Sequence, residues 1–138
     1  MHIRLLTPGD RDFVLSIDPH TDETSFSYRV YTKSGYLICE GETPIGVMSH
    51  CVLWDHLPFL NLIYILEEYR HQGFGSRAIL LWEEALRKQG YKMALLSTQA
   101  DEPAQRLYRR LGYLDCGALL FQGTPCDQPP ELFLRKVL

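Results

Sequence analysis

Hydrophobic and polar positions change period several times along the chain. Residues 2–6, His-Ile-Arg-Leu-Leu, read as a short strand. Thr7-Pro8-Gly9-Asp10 carries a helix start, with Thr7 as N-cap and Pro8 at the first helical position. Phe13, Val14 and Ile17 share one face of a short amphipathic helix. That helix stops near Asp18, because the residue before Pro19 is pushed out of the helical region. Residues 20–34 are polar and weakly patterned, either a loop or a helix that cannot be placed.

From Gly35 the pattern becomes that of strands. Tyr36–Cys39 and Ile45–Trp54 pair as a hairpin across Glu40-Gly41-Glu42-Thr43-Pro44. Asp55-His56-Leu57-Pro58 turns the chain into Phe59–Leu66, which is apolar on both faces and reads as a buried central strand. Residues 74–89 form a helix with Ala78, Ile79, Trp82, Ala85 and Leu86 on one stripe and Gly90 as its stop. Met93–Thr98 is a second buried strand. Ala104, Leu107, Tyr108 and Leu111 then follow at helical spacing, between Pro103 and Gly112. Strands around Ala118–Gln122 and Leu132–Val137 complete the order. The strand–helix–strand crossover predicts one central parallel pair in an otherwise mostly antiparallel sheet, a mixed α/β fold.

No repeat or linker interrupts the 138 residues, so they are expected to form a single domain, 1–138. No apolar run reaches the ~18 residues that span a bilayer, and no secretory leader opens the chain; a cytoplasmic protein is expected. Net charge is −3, with 14 basic against 17 acidic residues, which speaks against nucleic acid as partner. Cys39, Cys51, Cys116 and Cys126 are widely spaced, which predicts buried reduced thiols and neither a disulfide framework nor a metal site.

The segment richest in chemistry is Glu68-Tyr69-Arg70-His71-Gln72-Gly73-Phe74-Gly75-Ser76, between a buried strand and a long helix. Glycines let backbone approach a phosphate, and the helix start offers unpaired N–H groups with partial positive charge. Arg70 and His71 add charge there, and Gln72 a neutral donor. The spacing is neither a Walker P-loop nor a dinucleotide fingerprint.

The run Ile63–Gly75, with Arg-x-x-Gly-x-Gly from Arg70, resembles the acyl-CoA-binding signature of the GNAT superfamily of N-acetyltransferases. Ala104-Gln105-Arg106-Leu107-Tyr108-Arg109-Arg110-Leu111-Gly112-Tyr113 independently resembles that family's Ala-x-x-Leu-Tyr helix and turn. The resemblance covers residues 59–115 well and the rest by element order. It implies the GNAT fold, helices on both faces of a sheet whose central parallel strands splay to admit acyl-pantetheine.

It further implies transfer of acetyl from acetyl-CoA to a primary amine, with no metal, in a monomer or homodimer. The edge groups of Ile63 and Ile65 would pair with the pantetheine amides. The turn Arg70, His71, Gln72, Gly73, Phe74, Gly75 and Ser76 would hold the cofactor phosphates. The Ile65 N–H would serve as oxyanion donor and Tyr108 as general acid. Arg70, Arg106, Arg109 or Arg110 would meet the 3′-phosphate, unless these three helix arginines are a solvated face. The base is open between Glu67, Glu68, His50 and ordered water, with His50 read more readily as a hydrogen-bonded core histidine. Asp101 or Glu102 reads as a cap for the helix after Pro103. Trp54, Asp55, His56 and Asn61 are candidate acceptor-pocket residues, as are His20, Asp22, Glu23, Phe26, Tyr28 and Tyr31. A small amine, an aminoglycoside, a peptide N-terminus and a lysine side chain remain open as acceptors. The competing reading is a non-catalytic acyl-CoA sensor or partner-binding module on the same fold.

Overall fold

The computed structural model describes residues 1–138. In order, the elements are β1 (His2–Leu5), a 3-10 turn Pro8–Asp10 entering α1 (Arg11–Ile17), α2 (Glu23–Tyr31), β2 (Gly35–Glu40), β3 (Thr43–Leu53) and β4 (Leu57–Ile65). After a 3-10 turn at Glu67–Tyr69 come α3 (Phe74–Lys88), β5 (Met93–Gln99), α4 (Ala104–Arg110), β6 (Leu114–Leu119) and β7 (Glu131–Val137). The strands make one seven-stranded sheet in the order β1-β2-β3-β4-β5-β7-β6. Pairing is mostly antiparallel, and β4 with β5 is the parallel pair, registering Phe59 with Leu95 and Leu60 with Leu96. The α3 crossover is what permits it, since parallel neighbours cannot be joined by a tight hairpin.

One open reading is resolved and one expectation changes. Residues 23–31 are helical, with Asp22 as N-cap accepting the Ser25 N–H at 2.8 Å. The helix escaped the pattern because Phe26 is its one fully buried residue. The penultimate strand is Leu114–Leu119, earlier than the expected Ala118–Gln122. It is the edge strand and all six residues are exposed, so no alternation of burial marks its limits.

The chain divides into two compact units, Met1–Cys51 with Asn61–Ala85, and Val52–Leu60 with Leu86–Leu138. In the first, Leu6, Val14, Phe26, Leu37, Cys39 and Val47 form a buried cluster. Its N-terminal entry is fastened by Asp10, whose carboxylate accepts both Arg4 Nη groups at 2.7 and 2.8 Å, the Thr7 N–H at 2.8 Å and the Thr7 hydroxyl at 2.9 Å. The Arg4 bonds, first of all, hold the Asp10 carboxyl down at about 2. At the α1–α2 corner buried Asp18 accepts the Thr21 hydroxyl and the His20 N–H, and Arg29 closes the group with Nη1 3.7 Å from the same carboxylate. Asp18 itself ends α1 in an extended conformation, as the following proline requires.

His50 belongs to this unit's core. Its Nδ1 accepts the Trp82 indole N–H at 3.2 Å, and its ring stacks on Tyr36 at 5.9 Å. Burial pushes the imidazole down to about 4, so it stays neutral and is a structural group. The stripe Ala78, Ile79 and Trp82 of α3 is fully buried, as its spacing predicts.

In the second unit β5 pairs with β7 over seven rungs, Met93–Val137 through Gln99–Glu131. Phe59 stacks on Phe133 at 5.5 Å, and Leu95, Leu96 and Leu134 are buried. Gly112, at φ +91, closes α4: its N–H reaches the Arg109 carbonyl at 3.0 Å, and the Tyr113 N–H reaches Tyr108 at 3.1 Å. This is a left-handed helix end that suits glycine.

His50 makes stability pH-dependent in a defined window. An unfolded histidine titrates near 6.5, so between about pH 6.5 and 4 the unfolded chain takes the proton first and stability falls with pH. The loss expected from His50 over that window is on the order of 3 kcal/mol in urea-unfolding free energy. His50→Gln should flatten the slope there, and a slope identical to that of the parent would show that another group carries it.

Candidate active site

In the first unit, the end of β4 leads through Glu67–Tyr69 into the glycine turn and α3. Two glycines act in different ways. Gly46 of β3 lies so close to β4 that a Cβ there would stand 2.3 Å from the Tyr64 carbonyl oxygen. The Leu66 N–H completes the junction, donating to Ile45 at 2.9 Å. Only glycine lets the two backbones approach this closely. Gly73, at φ +83, has open space where a Cβ would point. The backbone there is open in front of the first turn of α3. The first helical bond runs from the Arg77 N–H to the Gly73 carbonyl at 3.1 Å, so the N–H groups of Phe74, Gly75 and Ser76 precede it and are available to a ligand. His71 also adopts a left-handed backbone, φ +60, which is strained for a residue with a Cβ.

The polar side chains of the turn are partly used in shaping it. Arg70 donates through Nε to the Ile65 carbonyl at 2.9 Å, with its guanidinium 5.1 Å from the Tyr64 ring centre. Gln72 donates to the Glu68 carbonyl at 2.8 Å, and Tyr69 meets Phe74 edge to face. Arg70 thus buttresses the strand end. Ile63 and Ile65 are half-buried, and Glu67, Glu68, His71 and Gln72 are exposed.

In the second unit Tyr108 of α4 is buried, 7% exposed, with its ring edge to face against Tyr113 at 6.4 Å. Its hydroxyl forms no hydrogen bond within the chain, yet no buried side-chain oxygen is left both sealed and unpartnered. The ring is packed while the hydroxyl keeps an opening. Burial, and then the carboxylates of Glu102 and Glu131, push the phenol up to about 12. Glu102 is no helix cap: its carboxylate accepts the Thr98 hydroxyl at 3.0 Å, and α4 starts without a side-chain cap. The strand-to-helix loop is stitched down by the Ala100 N–H to Pro130 at 2.8 Å and by Gln105 to the Ala100 carbonyl at 2.7 Å.

Several sequence candidates have other occupations. Arg109 forms a two-bond ion pair with Asp115, at 2.6 and 2.9 Å, and so is spent, whereas Arg106 and Arg110 are exposed. Trp54 and Asp55 form the turn that opens β4, the opposite end of that strand from Ile65, with φ +50 and +62. Asn61 accepts the Ser49 hydroxyl at 3.3 Å. Phe26 belongs to the core, and His20, Asp22, Glu23, Tyr28 and Tyr31 are exposed. All four cysteines are free, but Cys116 and Cys126 are exposed where burial was expected. Burial raises the thiols of Cys39, Cys51 and Cys116, the reverse of an activated nucleophile. No three metal-ligating side chains gather, and no helix is long and apolar enough to cross a membrane. Gly46 and Glu131 were not singled out from sequence: a glycine in a strand signals close approach in general, but no sequence cue puts Glu131 near Tyr108.

No curated protein matches the sequence significantly. Among solved structures, ribosomal-protein-alanine N-acetyltransferase from Brucella melitensis superposes with a TM-score of 0.82 at 19% identity, covering 100% of each chain. A GNAT family acetyltransferase from Elizabethkingia anophelis, solved with acetyl-CoA bound, gives 0.76 at 19% identity over 99% of this chain and 97% of that one. Naa50 from Arabidopsis thaliana, in complex with the bisubstrate analogue CoA-Ac-MVNAL, gives 0.81 at 10% identity over 99% and 97%. These likenesses establish the fold. The profile of the Acetyltransferase (GNAT) family matches residues 8–113, which include the glycine turn and Tyr108, and the chain belongs to that family.

Proposed function

We propose that the chain, acting as one domain over residues 1–138, transfers acetyl from acetyl-CoA directly to a primary amine. The observation that carries the reading is the open cradle at Gly73, set before free N–H groups at the start of α3. A diphosphate needs such a site: backbone donors, a positive helix end and no side chain in the way. The chain's residues fit the cofactor without any metal.

Acetyl-CoA supplies an activated acetyl thioester. The N–H groups of residues 71–76 hold its phosphates, and the edge groups of Ile63 and Ile65 take the pantetheine amides as an added strand. The Ile65 N–H donates to the thioester oxygen as negative charge develops there. Tyr108 donates its hydroxyl hydrogen to the sulfur as the carbon–sulfur bond breaks. A phenol at about 12 is protonated at every working pH, so this donor is always ready. The amine loses its proton to water, since His50 is committed to Trp82 and Glu67 and Glu68 are solvated. Among amines, a protein N-terminus is favoured by the Brucella and Arabidopsis neighbours, the one named for alanine of a ribosomal protein and the other solved with a bisubstrate peptide analogue.

Gly73→Asp tests the cradle. It forces a side chain onto a φ of +83 and a negative charge into the phosphate position. CoA affinity by calorimetry is expected to fall at least a hundredfold in a folded variant, and unchanged affinity would refute the assignment.

Tyr108→Phe tests the acid. Binding of acetyl-CoA should stay within about twofold while kcat drops ~10²–10⁴-fold, the usual range for a lost proton donor. A variant within threefold of the parent kcat, where chemistry limits the rate, makes Tyr108 a packing residue.

The same phenol fixes the alkaline side of the pH profile. With acceptor in excess, kcat/KM should rise as the amine deprotonates and then hold level, with no falling limb below about pH 11. A fall centred near pH 8 to 9 would mean that a different acid delivers the proton.

A further inference from the structure

A cavity of about 380 Å³ opens in the first unit between β1, the β2–β3 turn and the start of α1. It shares no lining residue with the glycine turn, β4 or α4, and its volume is that of a small-molecule site. Strand register builds its floor. His2 opposes Cys39 and Arg4 opposes Leu37 across β1 and β2, and Cys39 opposes Pro44 across β2 and β3, so these side chains share one face of the sheet. Leu37 and Cys39 are buried, and Pro44 and Phe13 of α1 are half-buried, which makes the floor apolar.

Two polar groups at the cavity have bonding capacity to spare. Three of the five N–H groups of Arg4 are committed to oxygens, at Asp10 and the Leu5 carbonyl. The rest of that guanidinium lies beside the Cys39 thiol, a weak acceptor that a carboxylate would outdo. Glu42, exposed on the β2–β3 turn, has no hydrogen bond or ion pair within the chain, and its charge reaches the same thiol. Asp10, the other carboxylate at the cavity, is closed to a ligand, because its oxygens already take the Arg4 and Thr7 donors. A simple anion entering here would meet Glu42, and a simple cation would meet Arg4. A zwitterion carrying an apolar group suits both and also covers the floor.

We propose that this cavity is an effector site for a free α-amino acid with an apolar side chain. Its carboxylate binds Arg4, its ammonium group binds Glu42, and its side chain covers Phe13, Leu37 and Cys39. Occupation is felt at the cofactor turn by a short route. Pro44 precedes Ile45, whose carbonyl takes the Leu66 N–H at 2.9 Å, and Gly46, which lies against the Tyr64 carbonyl. Those contacts seat the end of β4, from which the glycine turn departs. A ligand packed on Pro44 therefore steadies that end and tightens acetyl-CoA binding. The coupling rests on the acetyl-CoA reading above, whereas the amino-acid site does not.

The test is titration calorimetry on the full chain at pH 7, where leucine is a zwitterion. The probes are leucine, leucinamide without the carboxylate, 4-methylpentanoate without the ammonium group, and glycine without the side chain. The parent is expected to bind leucine at least about tenfold more tightly than each of the other three. Glu42→Gln, on an exposed turn outside the transfer machinery, should weaken leucine about tenfold and leave 4-methylpentanoate and CoA unchanged. CoA should bind the leucine-saturated parent at least about fivefold more tightly than the parent alone, and leucine should gain by the same factor from CoA. Leucine bound no more tightly than glycine or 4-methylpentanoate, or bound equally by Glu42→Gln, overturns the site. CoA affinity equal with and without leucine overturns the effector role. Failure of the parent to bind CoA overturns the acetyl-CoA reading and the coupling together, while the leucine titrations still decide the site.

Discussion

A parallel neighbour cannot be reached by a hairpin, and this one rule of sheet geometry organises the molecule. The chain leaves β4 at Ile65 and must cross a face of the sheet before β5 can run in the same direction. The crossing is made by α3, so a helix has to begin just past the carboxyl end of a strand. There the unpaired amides and positive end of the helix are directed outward, and residues 66–73 are the only chain available to shape them. Every unusual feature of that stretch serves the sharp change of direction: left-handed backbone at His71 and Gly73, Arg70 folded back onto the Ile65 carbonyl, and Tyr69 against Phe74. Gly46 allows β3 to press on the strand end from its other side. An outward-facing helix start at this place follows from topology before any side chain is chosen for chemistry.

How much of this was legible in the residues depended on where burial leaves a mark. α3 and α4 announce themselves because Ala78, Ile79 and Trp82, or Leu107 and Tyr108, must face inward at helical spacing. The glycine turn is legible because glycine at a left-handed position has few substitutes. By contrast α2 buries Phe26 alone among its nine residues, and β6 buries nothing, so neither imprints a period. Partnerships were the least legible. An arginine near a presumed phosphate reads the same whether it is free, as Arg106 is, or locked to Asp115, as Arg109 is. The pairing of His50 with Trp82 spans thirty-two positions and leaves no local trace.

Polar groups carry an unusual share of the order in the N-terminal segment. Asp10 and Asp18 each gather several donors, and each stands where the chain changes direction. A carboxylate with several oriented donors is a strong local constraint, because leaving those donors unmet costs more than the net gain of any one bond. Such corners fix α1 and α2 alongside the apolar cluster that Val14 and Phe26 enter, while α2 keeps Tyr28 and Tyr31 in solvent. The second unit is ordered differently, by a long antiparallel ladder and stacked Phe59 and Phe133.

The chain holds two tryptophans, and the fold deals one to each compact unit. Trp54 sits on the β3–β4 turn, 76% exposed, while Trp82 is fully enclosed with its indole N–H on His50. Their fluorescence is therefore naturally separated: a water-relaxed, red-shifted, easily quenched emitter in one unit and a blue-shifted, shielded one in the other. The molecule carries its own two-colour probe, able to tell whether the halves melt together or in succession without any label being attached.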